Sequence, residues 1–240
     1  MNPIAGAERL IVALDVPSAD EARALVGRLG DAVRFYKVGL ELFSRPGCFE
    51  LVAWLTGRGN KVFADLKLYD IPETVRRAVR NLAGCGATFL TVHAHRSIMQ
   101  AATAEKASLR ILAVTVLTSF DQRDLEEMGA TKTTEELVLA RARGALDSGC
   151  DGVIASAHEA RALKAQFGSR LLVVTPGIRP AGAKGSDDQK RTMDVAQAFA
   201  GGADYIVVGR PIREAPDPRA AAQAIQATIA KAFPATSAGA

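Results

Sequence analysis

Short apolar runs alternate with longer amphipathic segments along the whole chain. The runs are rich in Val, Ile and Leu, and they mostly lack the two-residue alternation of a half-exposed strand. This pattern is typical of parallel strands that are covered on both faces. Eight such runs occur, at residues 10–16, 35–40, 61–68, 88–94, 110–118, 152–156, 171–178 and 205–212. They predict eight buried strands.

The amphipathic segments between the runs carry the signals of helix ends. Ser18 is a candidate N-cap that is followed by acidic residues, and Pro72 stands at a first-turn position, where proline is favoured. The four clearest helical segments span residues 18–30, 72–86, 133–149 and 217–233. Strands therefore alternate with helices from one end of the chain to the other.

Eight strand-then-helix units with short connections predict an α/β fold, a (β/α)8 TIM barrel. The length of 240 residues suits one such domain. We expect a single domain over residues 1–240, with residues 234–240 as a frayed tail. An open doubly wound sheet is the alternative, and it is disfavoured because no GxGxxG motif follows the first strand.

Two connections are long. Residues 119–151 are expected to hold an extra helical turn. Residues 179–192 are Gly-rich, polar and charged, and they predict a mobile loop.

Composition and charge exclude several classes of protein. With 48% hydrophobic and 23% charged residues, the chain can build a core and is not disordered. The net charge of +4 comes without any run of Lys and Arg interleaved with aromatic residues, which argues against nucleic-acid binding. No stretch approaches the ~18 apolar residues of a membrane span, and the N-terminus lacks the pattern of a signal peptide. The three cysteines are widely spaced and form no CxxC, so reduced thiols and a cytoplasmic location are expected.

Charged residues stand at the ends of the first three predicted strands, where TIM barrels carry their functional residues. Asp15 ends the first strand, Lys37 lies in the second, and Asp65 and Lys67 leave the same face of the third. An ion at an inward strand position persists only when it is paired or hydrogen-bonded. We therefore predict a cluster of alternating carboxylates and ammoniums, with Asp70 just beyond it. Independent salt bridges at the barrel rim are the alternative.

The last two strands lead into a candidate anion site. In barrels such a site is often built from the loops after strands 7 and 8. Gly209 allows the backbone to approach an oxyanion, and Arg210 can make a two-pronged contact with a phosphate. Arg179 and Gln189 lie in the connection after strand 7. A turn glycine beside a solvated arginine is the alternative. Together with the ionic cluster, the anion site favours a phosphorylated sugar or nucleotide but does not give the reaction.

The segment "DLKLYDIPETV" at residues 65–75 closely resembles the signature of the orotidine 5′-phosphate decarboxylases, Asp-x-Lys-x-x-Asp-Ile-Pro-x-Thr-Val. The resemblance is to the bacterial type and extends over essentially the whole chain, with no departure at a motif position. It includes "ALDV", "YKVGLELF", "VTVLTS", "TPGIRP", "DDQKR" and "GADYIVVGRPI".

The resemblance implies conversion of orotidine 5′-phosphate to uridine 5′-phosphate, the last step of de novo pyrimidine nucleotide synthesis. It implies an enzyme without cofactor or metal, a homodimer of TIM barrels in which the partner subunit completes each site. By the resemblance, Lys67 stabilises and protonates C6 of the pyrimidine, and Asp65 lies near the substrate carboxylate. Lys37 and Asp70 complete the catalytic network, and Asp70 comes from the partner subunit.

The resemblance also implies the substrate contacts. Asp15 contacts the ribose hydroxyls, Lys37 also binds the substrate, Thr118 holds the pyrimidine edge, and Thr74 of the partner subunit lies near the phosphoribosyl group. The residues implied to hold the phosphate are Arg179, Gln189, Gly209 and Arg210.

Two other functions stay open. One is a Mg²⁺-dependent sugar-phosphate decarboxylase or aldolase of the same barrel superfamily, which the continuation of the motif from Ile71 to Val75 disfavours. The other is a non-catalytic nucleotide-binding barrel, which would not need the Asp65 and Lys67 pair. His93 and His95 lack a third ligand at a suitable spacing, so no metal site is predicted there.

Overall fold

The structure is a computed structural model that describes residues 4–179 and 192–234. Its eight parallel strands form a closed barrel in which β1 pairs with both β2 and β8. The predicted TIM barrel is therefore confirmed. The strands are β1 Leu10–Ala13, β2 Phe35–Gly39, β3 Lys61–Leu68, β4 Phe89–His93, β5 Arg110–Val114, β6 Gly152–Ile154, β7 Leu172–Thr175 and β8 Tyr205–Val208.

Helices surround the barrel and join its strands. The extra turn expected between residues 119 and 151 is the short helix α6. The described helices are α1 Ala19–Leu29, α2 Leu40–Phe43, α3 Cys48–Gly57, α4 Pro72–Ala83, α5 Arg96–Ala104, α6 Gln122–Glu127, α7 Thr134–Asp147, α8 Ala160–Phe167, α9 Val195–Ala200, α10 Arg210–Arg213 and α11 Pro218–Ala232. None of the helices in this part of the chain is long and apolar enough to cross a membrane.

The predicted helix starts are present in the structure. The hydroxyl of Ser18 accepts a hydrogen bond from the backbone N–H of Glu21 at 3.2 Å. Thr133 and Glu136 form a reciprocal capping box at the start of α7, and Pro72 occupies the first turn of α4. Each device satisfies or removes an N–H group that has no partner inside its helix.

Some predicted strands extend further than the observed ones. The apolar run at residues 110–118 was expected to be one strand, but β5 ends at Val114 and Thr118 lies in the loop that follows. Likewise β1 ends at Ala13, so Asp15 lies beyond the strand. Apolar residues occur both in the hydrogen-bonded strands and in the buried loops at the mouth of the barrel. An apolar run in the sequence therefore does not show where a strand ends.

Aromatic side chains fill the inside of the barrel. The ring centroids of Phe35 and Phe89 lie 5.0 Å apart, and those of Phe89 and Tyr205 lie 5.2 Å apart. Phe63 packs against Phe89 at 6.0 Å. We call these four buried residues the aromatic floor. Residues two positions further along each strand point to the same side, so the polar residues of β2, β3 and β4 stand above an apolar base.

The third strand is irregular where it reaches the mouth of the barrel. Ala64 pairs with Leu90 and Leu68 pairs with Val92, so three residues of β3 stand opposite Thr91 alone. Within this bulge Lys67 has a φ of 47°, a left-handed conformation that is uncommon outside glycine. The bulge therefore re-aims the end of β3, as such irregularities do next to functional sites.

Candidate active site

A cavity of about 1070 Å³ opens at the carboxyl ends of the strands. Residues of both the predicted ionic cluster and the predicted anion site line this cavity. The candidate residues in its walls are Asp15, Lys37, Asp65, Lys67, Thr118, Arg179, Gly209 and Arg210. Eight of the eleven candidate residues that were named from the sequence therefore line one cavity within a single chain.

Four charged side chains form a continuous series along one wall. The Nζ atom of Lys67 lies 2.8 Å from Oδ2 of Asp65, which lies 3.5 Å from Nζ of Lys37. Lys37 in turn donates to Oδ1 of Asp15 at 2.9 Å. Ammonium and carboxylate therefore alternate from β3 to the end of β1. We call these four residues the ionic chain.

The middle of the ionic chain is buried and charged. Asp65 is 9% exposed, and burial on its own would raise its pKa. The ammoniums of Lys37 and Lys67, with the hydrogen bonds from Lys67 and Thr91, hold the pKa of Asp65 below its usual value instead. Burial would lower the pKa of Lys37, but Asp65 and Asp15 raise it above its usual value. Both groups are therefore ionised at neutral pH.

Two further residues fix the ionic chain, and the sequence analysis missed both. The hydroxyl of Thr91 donates to Oδ1 of Asp65 at 2.9 Å and accepts from the backbone N–H of Lys67 at 2.9 Å. A Cβ on Gly39 would lie 3.0 Å from Nζ of Lys37. The sequence contains only weak signals for these two residues. Thr91 lies two positions after Phe89 in an apolar run, and Gly39 lies at the end of another apolar run.

The anion end of the cavity adjoins the ionic chain. Gly209 directly follows β8, and a Cβ there would lie 4.0 Å from Oδ2 of Asp15. Arg213 on α10 donates to the backbone carbonyl of Asp15 and also lines the cavity. Arg28 of α1 lines the cavity as well, together with Arg210. Arginines therefore border the cavity next to Asp15, where they favour an anionic ligand.

Two candidate residues lie outside the cavity of their own chain. Oδ1 of Asp70 accepts from the backbone N–H of Ile71 at 2.6 Å, and Asp70 and Thr74 are both exposed at the start of α4. The side chains of Tyr69 and Ile71 beside them are each 67% exposed. One chain does not bring Asp70 and Thr74 to the ionic chain, and their contribution from a partner subunit stays a prediction.

Gln189 lies outside the described residues, as does most of the 179–192 connection that was predicted to be a mobile loop.

His93 borders the ionic chain at the end of β4. Burial lowers the pKa of its imidazole, and the charges of Lys67 and Arg141 lower it further. The ring of Tyr69 meets it edge to face at 5.1 Å. Among the residues that the structure describes, no group of three or more His, Cys, Asp or Glu side chains is placed to hold a metal ion.

Comparisons with known proteins identify the family to which the chain is similar. The family model described as "Orotidine 5′-phosphate decarboxylase / HUMPS family" matches residues 8–225. A relative from Methylococcus capsulatus, named orotidine 5′-phosphate decarboxylase, is 58% identical over 97% of this chain and 96% of its own length. One of the same name from Rhodopseudomonas palustris is 52% identical over 94% of this chain and 96% of its own.

Solved structures give the same result. The crystal structure of orotidine 5′-phosphate decarboxylase from Lactobacillus acidophilus is 38% identical, with a TM-score of 0.82 over 92% of this chain and 99% of that one. The corresponding enzyme from Pyrococcus horikoshii is 28% identical, with a TM-score of 0.73, and it covers 92% of this chain and 98% of its own. The likeness therefore covers nearly all of both chains.

Proposed function

The chain belongs to the orotidine 5′-phosphate decarboxylase / HUMPS family, and on this premise we propose that it converts orotidine 5′-phosphate to uridine 5′-phosphate with Lys67 as the proton donor. The observation that supports the proposal is the ionic chain, in which the Lys67 ammonium stands 2.8 Å from a buried carboxylate at the cavity wall. This step closes de novo pyrimidine nucleotide synthesis.

The reaction needs a fixed positive charge beside C6 of the pyrimidine. When the bond between C6 and the carboxyl carbon breaks, CO₂ leaves and the electron pair stays in an sp² orbital that the ring π-system cannot delocalise. A preorganised ammonium stabilises that pair electrostatically and then donates a proton to it. Lys67 can serve both purposes, and it regains its proton from solvent after the product leaves.

The ionic chain holds its charges in place before substrate binds. Asp65 is hydrogen-bonded by Lys67 and Thr91, and Lys37 is hydrogen-bonded to Asp15. The site therefore spends little free energy on reorganisation during the reaction, which is the main source of electrostatic catalysis. Asp65 would lie near the substrate carboxylate and repel it, a contribution to which we assign less weight.

The phosphate is proposed to bind at the end of β8. Gly209 and Arg210 line the cavity beside Asp15, and Arg179 lines it from the loop after β7. By the sequence resemblance, Gln189 joins them, Asp15 contacts the ribose hydroxyls, Lys37 also binds the substrate, and Thr118 holds the pyrimidine edge. Binding energy from the phosphate, remote from C6, can then be used to orient the reacting carbon.

We further propose that the enzyme is a cytoplasmic homodimer in which Asp70 and Thr74 of each subunit complete the site of the other. In support, both residues are exposed and lie outside the cavity of their own chain. The large apolar side chains of Leu40, Tyr69 and Ile71 are also exposed, at 61%, 67% and 67%. Exposed apolar side chains on both sides of Asp70 are typical of a surface that a partner covers.

The test is an absorbance assay of orotidine 5′-phosphate consumption with EDTA present. The wild type is compared with Lys67→Ala and with Lys132→Ala, which removes an exposed lysine outside the cavity. We expect turnover by the wild type and by Lys132→Ala, and a loss of kcat by several orders of magnitude in Lys67→Ala.

Each alternative has its own outcome in this assay. Loss of wild-type turnover in EDTA, restored by Mg²⁺, would favour the metal-dependent sugar-phosphate enzyme. Tight binding of uridine monophosphate without turnover would favour the non-catalytic barrel. Unchanged turnover by Lys67→Ala would contradict the proposed mechanism.

A further inference from the structure

The bulge in β3 leaves the backbone of Lys67 out of the regular ladder. Three residues of β3 face the single residue Thr91 on β4, and Lys67 takes a left-handed φ of 47°. A residue other than glycine holds such a conformation only where its surroundings fix it. The side chain of Lys67 starts from this backbone, so whatever fixes the bulge also aims the ammonium.

One hydroxyl provides that constraint. The Oγ1 atom of Thr91 accepts from the backbone N–H of Lys67 and donates its own proton to Oδ1 of Asp65, both at 2.9 Å. A hydroxyl has a single proton to donate, so its donor role is fully used. Thr91 is completely buried. The hydroxyl that makes both hydrogen bonds is therefore shielded from water.

Thr91 acts without touching the ligand. It does not line the cavity, whereas Asp65 and Lys67 do. We propose that Thr91 is a positioning residue: its hydroxyl ties the backbone of Lys67 to the carboxylate of Asp65 and so sets where the ammonium stands. The inference rests on the proposed function, because it assigns a role in the reaction that Lys67 is proposed to perform.

Removing the hydroxyl should act on the chemical step more than on binding. The backbone N–H of Lys67 and one oxygen of Asp65 would lose their partner together, and the left-handed turn would relax. A displacement of about 1 Å at the reacting atoms can cost roughly 100-fold in rate. Thr91 does not line the cavity in which the ribose and phosphate are proposed to bind, so their binding should change little.

The variant Thr91→Val removes the hydroxyl and keeps the branched shape, and Thr91→Ser keeps the hydroxyl. Thr115→Val is the matched control, because its buried hydroxyl donates to the backbone carbonyl of Ile154 rather than to the ionic chain. We expect kcat to fall about 10- to 100-fold in Thr91→Val at nearly constant KM. Thr91→Ser should recover most of the rate, and Thr115→Val should stay near wild type.

Equal kcat in Thr91→Val and Thr115→Val would overturn the proposal, and so would a Thr91→Ser variant as slow as Thr91→Val. Thr91→Ala replaces Thr91→Val in the same comparison if the valine variant does not fold.

A second measurement separates this inference from the proposed function. The pKa of Asp65 in the substrate-free enzyme can be followed by carbon NMR of labelled carboxyl groups. Thr91→Val loses the hydrogen bond to Asp65, so the pKa of Asp65 should rise in this variant. Thr91→Ser keeps the hydroxyl, so the pKa of Asp65 should stay near its wild-type value. If the wild type does not consume orotidine 5′-phosphate, the proposed function fails, and this titration alone tests the positioning role of Thr91. A rise in the pKa of Asp65 that occurs only in Thr91→Val would support that role, and an unchanged pKa would overturn it.

Discussion

The ammonium nitrogen of Lys37 lies 3.0 Å from the point that a Cβ atom on Gly39 would occupy, and Oδ1 of Asp15 lies 3.3 Å from the same point. The glycine therefore leaves the space in which this ion pair forms. In Gly39→Ala the methyl group should displace Lys37 from Asp15. We expect kcat/KM for orotidine 5′-phosphate to fall about 10- to 100-fold, because misplaced catalytic groups cost that much.

Gly27→Ala is the control for this prediction. Gly27 lies inside α1 with no heavy atom within 4 Å of its added Cβ, and alanine is the better helix former by about 1 kcal/mol. Its activity should be unchanged and its Tm slightly raised. Wild-type activity in Gly39→Ala would contradict this prediction and show that the site accommodates the methyl group.

The pH dependence of stability should report on Asp65. Its pKa in the folded protein lies below the usual value because Lys37 and Lys67 outweigh the effect of burial. The stabilisation is therefore fully present above the unfolded pKa of about 3.9, and it is lost as the pH falls through the lower folded pKa. Asp65→Asn should be less stable at pH 7 by about 3 kcal/mol, because it leaves the ammonium of Lys37 and the half-buried ammonium of Lys67 without their shared carboxylate.

Urea unfolding of the wild type and Asp65→Asn at matched pH values checks this prediction. The difference in unfolding free energy should narrow only below about pH 4. Comparison at matched pH removes the effect of Glu73 and Glu105, whose pKa values are also lowered by their arginine partners. A constant difference down to pH 2 would mean that Asp65 is not held ionised by its neighbours.

Arg210→Ala should weaken catalysis through the phosphate. Removing one side of a desolvated charge pair costs roughly 2–4 kcal/mol, which corresponds to a fall in kcat/KM of about 30- to 1000-fold. Steady-state assays should compare orotidine 5′-phosphate with the nucleoside that lacks the phosphate. Arg210→Ala should lower kcat/KM only for orotidine 5′-phosphate and not for the nucleoside. Arg123→Ala, at an exposed position on α6, should change kcat/KM for neither substrate. Full activity on the nucleotide would remove Arg210 from the proposed phosphate site.

A shared active site predicts complementation between two inactive variants. Lys67→Ala and Asp70→Ala should each be nearly inactive alone. If Asp70 acts in the partner's site, a mixed dimer carries one doubly altered site and one intact site. An equimolar mixture refolded together should therefore regain about a quarter of the wild-type activity. Absence of any recovery, with mixed dimers shown to form by mass spectrometry, would place Asp70 in the site of its own chain or outside both.

Gly152 has a structural role that Gly152→Ala should expose. An added Cβ at the start of β6 would lie 2.7 Å from both the Cβ and the carbonyl oxygen of Leu172 and 2.8 Å from Cδ2 of Leu112. Because a backbone atom is among these contacts, we expect destabilisation of about 3 kcal/mol. Chemical denaturation measures it. Gly57→Ala, with open space around the added methyl, should remain near wild type.

Periodicity and end signals were sufficient to predict the barrel. All eight strands and the cap at Ser18 follow from local patterns, because a parallel strand covered on both faces and a capped helix each leave a signal within a few residues. The same logic placed Asp15, Lys37, Asp65 and Lys67 together, since the carboxyl ends of barrel strands meet at one mouth.

The residues that tune the site were not predictable in this way. Thr91 matters because β3 and β4 fall out of register beside it, and register between strands leaves no mark on either strand alone. Gly39 matters because of the space between two side chains from different strands. The position of Asp70 depends on a second chain. These properties arise from tertiary or quaternary neighbours, which one sequence does not display.

The pairing of β1 with β8, in which Val12 stands opposite Val208, joins the first and the last strand of the barrel. A nascent chain that has not yet reached residue 205 therefore has open edges on β1 and β7, which can recruit other strands until β8 inserts between them. It also lacks Gly209 and Arg210, so it cannot form the proposed phosphate site. Insertion of β8 therefore both completes the proposed phosphate site and covers the exposed strand edges. During refolding, turnover should return only after the barrel has closed.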